Sequence, residues 1–201
     1  MISLVMDTSN SYLAVGLFQD NMCLEAFQEK GSRRQSEKAI PTLKEVLDRH
    51  HIALKDVNEM IITSGPGSYT GVRVAMTIAK TLAAVSDVKI KSVSSLAAYA
   101  GMNQAMSVID ARGHKVFVGV YENGIPLMKE QVMTLEDFTQ LRAEYSDYEL
   151  VGETGCLGLD EKECDLCANI YALGKMADPI ENVDLLVPTY IKDVEAKKAC
   201  Y

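Results

Sequence analysis

Long apolar segments are missing from this 201-residue sequence. No charge-free apolar run approaches the roughly 20 residues that a bilayer-spanning helix needs. The first apolar stretch, residues 2–7, begins without the basic segment of a signal peptide. We therefore expect a cytoplasmic protein without membrane attachment, and its 48% hydrophobic content can bury one sizeable core or two small ones.

Positive charge is also scarce. The chain carries 20 Lys and Arg against 28 Asp and Glu, which gives a formal net charge of −8. Proteins that bind nucleic acid on their own do so through clustered Lys and Arg. We therefore expect any contact with RNA to be made only through a complex in which a partner supplies the basic surface.

Cysteine and histidine form no metal or disulfide pattern. Cys164 and Cys167 make a lone C-x-x-C, which lacks the further ligands of a zinc site, and we interpret these thiols as unremarkable rather than redox-active. His50 and His51 fall at a predicted helix end and His114 in a hairpin turn. No metal, cofactor or catalytic residue is predicted. The five cysteines, at positions 23, 156, 164, 167 and 200, are expected to be reduced.

A glycine-rich turn, residues 65–71, joins the apolar run 60–63 to a predicted helix at about 70–86. Such a turn favours anions through its backbone N–H groups and the helix dipole. The stretch nevertheless lacks the Gly-Lys-Ser/Thr of a Walker loop, and its third glycine is one residue late for a dinucleotide loop. A purely structural helix entry fits the glycines equally well. The candidate anion or nucleotide contacts are Gly65, Pro66, Gly67, Ser68, Tyr69, Thr70, Gly71 and Arg73.

Hydrophobic periodicity predicts the order βββ-α-β-α-β-α for the first hundred residues. Ser36 is the expected N-cap of the first helix, and Pro41 should kink its first turn or mark its true start. The predicted strands are 2–7, 12–18, 22–28, 60–64 and 89–93, and the predicted helices are 36–50, 70–86 and 95–99.

The start of this pattern recurs 103 residues later without a gap. Residues 5–7 align with 108–110, and 13–18 align with 116–121, with an identical aspartate, valine and glycine. Either the chain is duplicated, or two hairpins are alike by patterning alone. We favour a duplicated α/β fold with subdomains 1–102 and 103–201, the second copy being reduced. Its predicted elements are strands 126–132 and 148–151, helices 134–144 and 165–176, an apolar strand or edge segment 185–191, and a mobile tail 192–201.

Asp7 and Asp110 end equivalent predicted strands. Together with Thr8 and Ser9 they could form a vestigial phosphate loop that holds a metal or a nucleotide phosphate across a cleft. Against this, the first turn has no glycine and neither aspartate has a nearby second carboxylate. The alternative, which we favour, is that each aspartate caps a turn.

The predicted helix 70–86 is apolar around about three-quarters of its circumference, more than one sheet face covers. Its charges, Arg73 and Lys80, lie with Thr77 on one narrow stripe. A row of small residues would allow close approach of another helix, either the chain's own 36–50 helix or a helix of another subunit. The candidate partner-binding residues are Ile40, Leu43, Leu47, Gly71, Val72, Ala75, Met76, Ala79 and Ala83.

The glycine turn with the following Val-Arg, the Met-Asp-Thr-Ser at 6–9 and the Ser36-Glu37…Pro41 helix resemble the TsaB family, also called YeaZ. The match continues from 110–112 to 187–191 and so covers nearly the whole chain. The resemblance implies the duplicated ribonuclease-H-like fold of the actin, sugar kinase and heat-shock ATPase superfamily. It also implies a role in making threonylcarbamoyladenosine beside the anticodon of tRNA. In that family TsaB is a non-catalytic platform, TsaD transfers the threonylcarbamoyl group, and TsaE is an ATPase that joins them.

Two features of the sequence bear on what the resemblance implies. TsaD proteins carry metal-binding histidines after the strand that follows their own glycine-turn helix, and the corresponding residues 93–99 here contain none. TsaB sequences often have His before the Ser-Glu pair, where this chain has Gln35. We therefore expect a pseudo-enzyme that forms a helix bundle with TsaD, or a homodimer in isolation. A nucleotide-dependent kinase-like protein and a metalloprotease-like hydrolase are the alternatives.

Overall fold

The computed structural model describes residues 1–31 and 35–191, which form two mixed β-sheets with helices between and outside them. The predicted tail, 192–201, lies outside the described residues. The strands are β1 (Ile2–Asp7), β2 (Tyr12–Gln19), β3 (Met22–Lys30), β4 (Glu59–Thr63), β5 (Lys89–Val93), β6 (Ala105–Asp110), β7 (Lys115–Glu122), β8 (Ile125–Pro126), β9 (Gln131–Thr134) and β10 (Glu149–Gly152). The helices are α1 (Gln35–Arg49), α2 (Tyr69–Val85), α3 (Ser95–Ala100), α4 (Leu135–Glu144) and α5 (Leu166–Met176), with 3₁₀ turns at Leu54–Asp56, Thr154–Leu157 and Val183–Leu185.

The first sheet has the strand order β3-β2-β1-β4-β5. β1 runs antiparallel to β2 and parallel to β4, and β4 runs parallel to β5. Residues 3–7 and 59–63, in β1 and β4, are buried without alternation. This continuous burial is typical of central strands that helices cover on both faces.

The second sheet repeats the beginning of the first. β6 and β7 begin and end 103 residues after β1 and β2, and they pair antiparallel in the same way. β10 then runs parallel to β6, as β4 does to β1, while β8 and β9 both pair with β7. The predicted duplicated α/β fold is therefore confirmed, and this second copy has no counterpart of β5 within the described residues.

Within the described residues, the hydrophobic core is divided into three clusters. One lies outside the first sheet under α1 and α2, and a smaller one lies outside the second sheet under α4. The third lies between the sheets and contains α3, α5 and side chains from both sheets. Helix α5 comes from the second half of the chain but packs against all five strands of the first sheet. Consequently the two halves share their central core.

Four predictions of local structure are wrong. Helix α1 includes Gln35, so Ser36 is not its N-cap, and Pro41 lies well inside the helix on an exposed face. The predicted strand 126–132 is interrupted after Pro126, which cannot donate to a sheet ladder. The segment 185–191 is not a strand, because it joins no sheet within the described residues. Instead Leu186 packs against the core, and Tyr190 accepts a hydrogen bond from Arg73 of α2. No described helix is long and apolar enough to cross a membrane.

Candidate functional site

The glycine turn is closed by the chain's own β1–β2 loop. The Ser68 N–H donates to the Ser9 carbonyl at 2.7 Å, and Ser68 Oγ caps α2 by accepting from the Gly71 N–H at 3.3 Å. A Cβ on Gly67 would lie 2.4 Å from the Ser9 carbonyl oxygen, and one on Gly71 would lie 2.1 Å from that of Thr8. These glycines therefore admit a neighbouring backbone, which accounts for them without a phosphate.

Thr8 fastens this loop to the helix. Its hydroxyl donates to the Gly71 carbonyl at 2.6 Å and accepts from the Ala75 N–H at 3.2 Å. These two groups are four residues apart and would bond to each other in an uninterrupted helix. The buried hydroxyl is thus inserted into the first turns of α2 and fixes the helix against β1.

The two strand-ending aspartates differ in their surroundings. Asp7 is 2% exposed, and its carboxylate accepts from the Ser9 N–H and the Thr63 hydroxyl. Burial raises the pKa of Asp7, and these hydrogen bonds oppose that rise. Asp110 is exposed and accepts from the Arg112 N–H at 2.7 Å. This geometry agrees with two turn caps better than with a matched pair of phosphate or metal ligands.

Glu153 is the acidic residue that the sequence interpretation missed. It follows β10, and because β6 and β10 are parallel its carboxylate lies beside the end of β6. One oxygen accepts from the Ser11 N–H and hydroxyl, and the other accepts from the Asp110 N–H at 3.0 Å. The expectation that no second carboxylate lies near the aspartates is therefore wrong. The sequence signal for Glu153 was its position directly after β10. The carboxyl ends of the parallel strands β6 and β10 lie at the same edge of the sheet.

Most of the predicted partner-binding side chains are inside the fold. α1 and α2 pack against each other on the first sheet, and the row of small residues faces β1 and its loop. The expectation that this row is available to another subunit in the isolated fold is thus corrected: the chain's own helix and sheet cover it. The buried candidates are Leu43, Leu47, Gly71, Val72, Ala75, Met76 and Ala79; Ala83 is half-buried, and Ile40 is 61% exposed.

An exposed aromatic cluster stands at the start of α2. The Tyr69 and Tyr190 rings stack with centroids 5.9 Å apart, and the Arg73 guanidinium lies 3.9 Å from the Tyr69 centroid. Arg73 Nε donates to the Tyr190 hydroxyl at 3.0 Å. Sequence reasoning chose Tyr69 and Arg73 as anion contacts but did not single out Tyr190. We call Tyr69, Arg73 and Tyr190 the aromatic–arginine cluster.

The C-terminal segment, residues 180–191, holds Tyr190 in this position. The Ile180 N–H donates to the Ile90 carbonyl at 2.8 Å, and the Thr189 N–H donates to the Ser64 carbonyl at 2.7 Å. Between these points Lys80 donates to the Asp184 carbonyl at 2.9 Å. The segment thereby packs along α2, with Ile180, Val183 and Leu186 against the core cluster under α1 and α2.

Gln35 and the C-x-x-C cysteines, Cys164 and Cys167, make contacts that serve the fold. Gln35 Nε2 donates to the Asn10 carbonyl at 2.8 Å and so joins the start of α1 to the β1–β2 loop. Burial raises the pKa of the Cys164 thiol to about 11, and burial also raises that of Cys167. High thiol pKa values disfavour the reactive thiolate. Within residues 1–31 and 35–191, no group of three or more His, Cys, Asp or Glu side chains could hold a metal.

Comparison with known proteins gives a family and a fold. A family model described as TsaD, tRNA N6-adenosine threonylcarbamoyltransferase, matches residues 28–154. The TsaB protein of Bacillus subtilis, named for tRNA threonylcarbamoyladenosine biosynthesis, is 28% identical over 222 aligned positions, which cover 98% of this chain and 96% of that protein. The Escherichia coli TsaB is 31% identical over 132 positions, or 61% and 57% of the two chains.

Two solved structures from Pseudomonas aeruginosa have the same fold. One, titled YeaZ, superposes with a TM-score of 0.78 at 22% identity and covers 94% of this chain and 99% of that one. The other, titled an uncharacterized protein with similarity to peptidase YEAZ, superposes with a TM-score of 0.81 at 23% identity and covers 95% and 99%. At these identities the superpositions establish the fold alone.

Proposed function

Because this chain belongs to the TsaB (YeaZ) family, within the family described as TsaD, tRNA N6-adenosine threonylcarbamoyltransferase, we propose that it takes part in the biosynthesis of threonylcarbamoyladenosine in tRNA. The observation that carries this proposal is the similarity to the Bacillus subtilis TsaB over nearly the full length of both chains. The finer role is that of a non-catalytic subunit, with TsaD as the catalytic partner and TsaE as a further component.

The surroundings of the candidate catalytic side chains support a scaffold role. Asp7 Oδ1 accepts hydrogen bonds from the Ser9 N–H of its own loop and from the Thr63 hydroxyl, so the side chain serves the fold. Ser68 caps α2 and has no described histidine beside it to activate it as a nucleophile. The net charge of −8 also favours tRNA contact through a partner rather than by this chain alone.

The exposed faces of α1 and α2 supply the docking surface in this proposal. Tyr and Arg are the residue types that most often dominate the binding energy of protein interfaces, and the aromatic–arginine cluster combines both. Ile40 adds an exposed apolar side chain on α1, the neighbour of α2. TsaD binds at this surface, and a second copy of the chain occupies it when TsaD is absent.

The role is tested by reconstitution. This chain is purified with the TsaD and TsaE of the same organism, and tRNA, ATP and a threonylcarbamoyl donor are supplied in every reaction. Threonylcarbamoyladenosine in tRNA is then measured by mass spectrometry with each protein left out in turn. We expect no product without this chain and none from this chain alone. Undiminished modification in its absence would refute the role, and product formed by the chain alone would refute the non-catalytic assignment.

The surface is tested by Ile40→Arg with Ile125→Arg as the matched control. Both side chains are exposed, at 61% and 55%, but Ile125 lies in β8 of the second sheet. We expect Ile40→Arg to weaken association with TsaD and with a second copy at least about tenfold, which corresponds to about 1.4 kcal/mol. The melting temperature should stay unchanged in both variants. Equal binding by both variants would show that the partner docks elsewhere.

A further inference from the structure

One carboxylate is held from both halves of the molecule. Glu153 Oε1 accepts from the Ser11 N–H at 3.1 Å and from the Ser11 hydroxyl, in the loop before β2 of the first sheet. Glu153 Oε2 accepts from the Asp110 N–H at 3.0 Å, at the end of β6 in the second sheet. Two backbone N–H groups and a hydroxyl from separate halves thus converge on one negative group.

The backbone delivers Glu153 to this position rigidly. Its own N–H donates to the Val108 carbonyl at 2.9 Å. The preceding Gly152 has φ +97°, and a Cβ there would lie 2.2 Å from the Val108 carbonyl oxygen. This close approach requires glycine, so the glycine places the following carboxylate at the end of the sheet.

The groups that donate hydrogen bonds to Glu153 are of the kinds that bind oxyanions in proteins. Convergent backbone N–H groups and a hydroxyl hydrogen bond equally well to a carboxylate and to a phosphate oxygen. Lys30 is a described cation near Glu153: its pKa is raised by its hydrogen bond to Glu161 and, to a smaller extent, by the charge of Glu153. The exposed Asp110 and the paired Glu161 are the acidic neighbours, and they limit an external anion to weak binding.

We propose that Ser11 and the Asp110 N–H form an oxyanion site between the two halves, and that Glu153 occupies it as an internal ligand. In the isolated chain, its own carboxylate therefore occupies the position where a phosphate-type ligand would otherwise bind. Removing the carboxylate opens the site to inorganic phosphate. This inference goes beyond the scaffold role and does not depend on TsaD.

The test uses inorganic phosphate on the full chain alone. The amide signals of Ser11 and Asp110 are followed by NMR during a phosphate titration at constant ionic strength, with chloride as the exchanged anion. In Glu153→Ala both amides should shift and saturate, with an affinity at least about tenfold above the wild type. Glu153→Gln keeps a single acceptor oxygen and turns its NH2 group toward either the Ser11 or the Asp110 donors, but it still fills the site, so its phosphate response should stay below that of Glu153→Ala.

Glu163→Ala is the charge control, because it removes an exposed carboxylate from the loop that follows Glu153. If Glu163→Ala responded to phosphate as strongly as Glu153→Ala, the change in net charge alone would explain the binding, and the proposal would be overturned. So would unshifted Ser11 and Asp110 amides in Glu153→Ala. If Glu153→Ala is poorly folded, its melting temperature is compared in phosphate and in chloride, since a ligand of the native state raises it; no phosphate-specific rise would likewise overturn the proposal.

Discussion

Single polar side chains determine whether the glycine turn is free to bind an anion or is bonded within the fold. The turn contains a helix N-terminus, but the Ser68 N–H donates to the Ser9 carbonyl. The Thr8 hydroxyl bonds to the Gly71 carbonyl and the Ala75 N–H in the first turns of the helix. Gly67 and Gly71 permit the contact because any side chain at either position would strike the backbone of the β1–β2 loop. At the scale of residues, the turn thus fixes α2 against the end of β1.

Thr8→Val tests this attachment. Valine preserves the volume but leaves the Gly71 carbonyl and the Ala75 N–H without the hydroxyl that bonds both. We expect a loss of about 2 kcal/mol or more in the free energy of unfolding, because each buried group left unsatisfied costs about 1–3 kcal/mol. Urea denaturation followed by circular dichroism measures it.

Thr8→Ser is the matched control, because it keeps the hydroxyl and removes only a buried methyl group, at about 0.8 kcal/mol. Thr8→Val should therefore be the more destabilised of the two. The reverse order would mean that methyl packing, rather than the inserted hydroxyl, holds the loop against α2.

At the scale of elements, α2 shows what a periodic pattern leaves open. The pattern predicted its length and its exposed stripe: Arg73 and Thr77 are exposed and Lys80 is half-buried. It could not tell which surface covers the apolar side, because periodicity defines a face and not its neighbour. The small residues Ala75 and Ala79 let α2 approach β1 and its loop, and the segment 180–191 packs against another part of the helix.

Ala75→Arg and Thr77→Arg distinguish these two faces. Ala75 is fully buried, so arginine there would overpack the core and bury a charge, and we expect a loss of the cooperative folding transition. Thr77 is exposed on the same helix, and its substitution should change the stability by less than about 0.5 kcal/mol. Thermal unfolding followed at 222 nm compares the variants. A folded, soluble Ala75→Arg protein with a wild-type melting temperature would contradict the observed burial.

The limits of prediction follow from the range of the contacts. Elements whose signals are local were found closely: β5 has the predicted bounds 89–93, and α2 differs by one residue at each end. Glu153 and Tyr190 were missed because their partners, Ser11 and Arg73, are 142 and 117 residues away. No local pattern encodes such pairs. The 103-residue repeat predicted the second sheet because it compares distant segments directly.

At the scale of the whole molecule, the duplicated halves are joined through α5. This helix follows the second sheet, yet Tyr171 stacks on Phe18 of the first sheet with ring centroids 4.0 Å apart, and Lys91 donates to the Gly174 carbonyl at 2.8 Å. Ile61 packs so closely that a Cβ on Gly174 would lie 2.5 Å from its Cδ1. The proposed subdomains 1–102 and 103–201 are therefore not independent in their packing.

Tyr171→Ala should consequently destabilise both halves together. Removing a buried aromatic side chain costs about 3–5 kcal/mol, and the cluster it belongs to contains Val5 of β1 and Ile109 of β6. Native-state hydrogen exchange of amides in β1 and in β6 should show equal losses of opening free energy, because slowly exchanging core amides report global unfolding. Tyr148→Ala, at a half-buried site outside the second sheet, is the control and should cost less. If Tyr171→Ala weakens protection in β1 while β6 keeps its wild-type value, the two halves unfold separately and the shared core does not couple them.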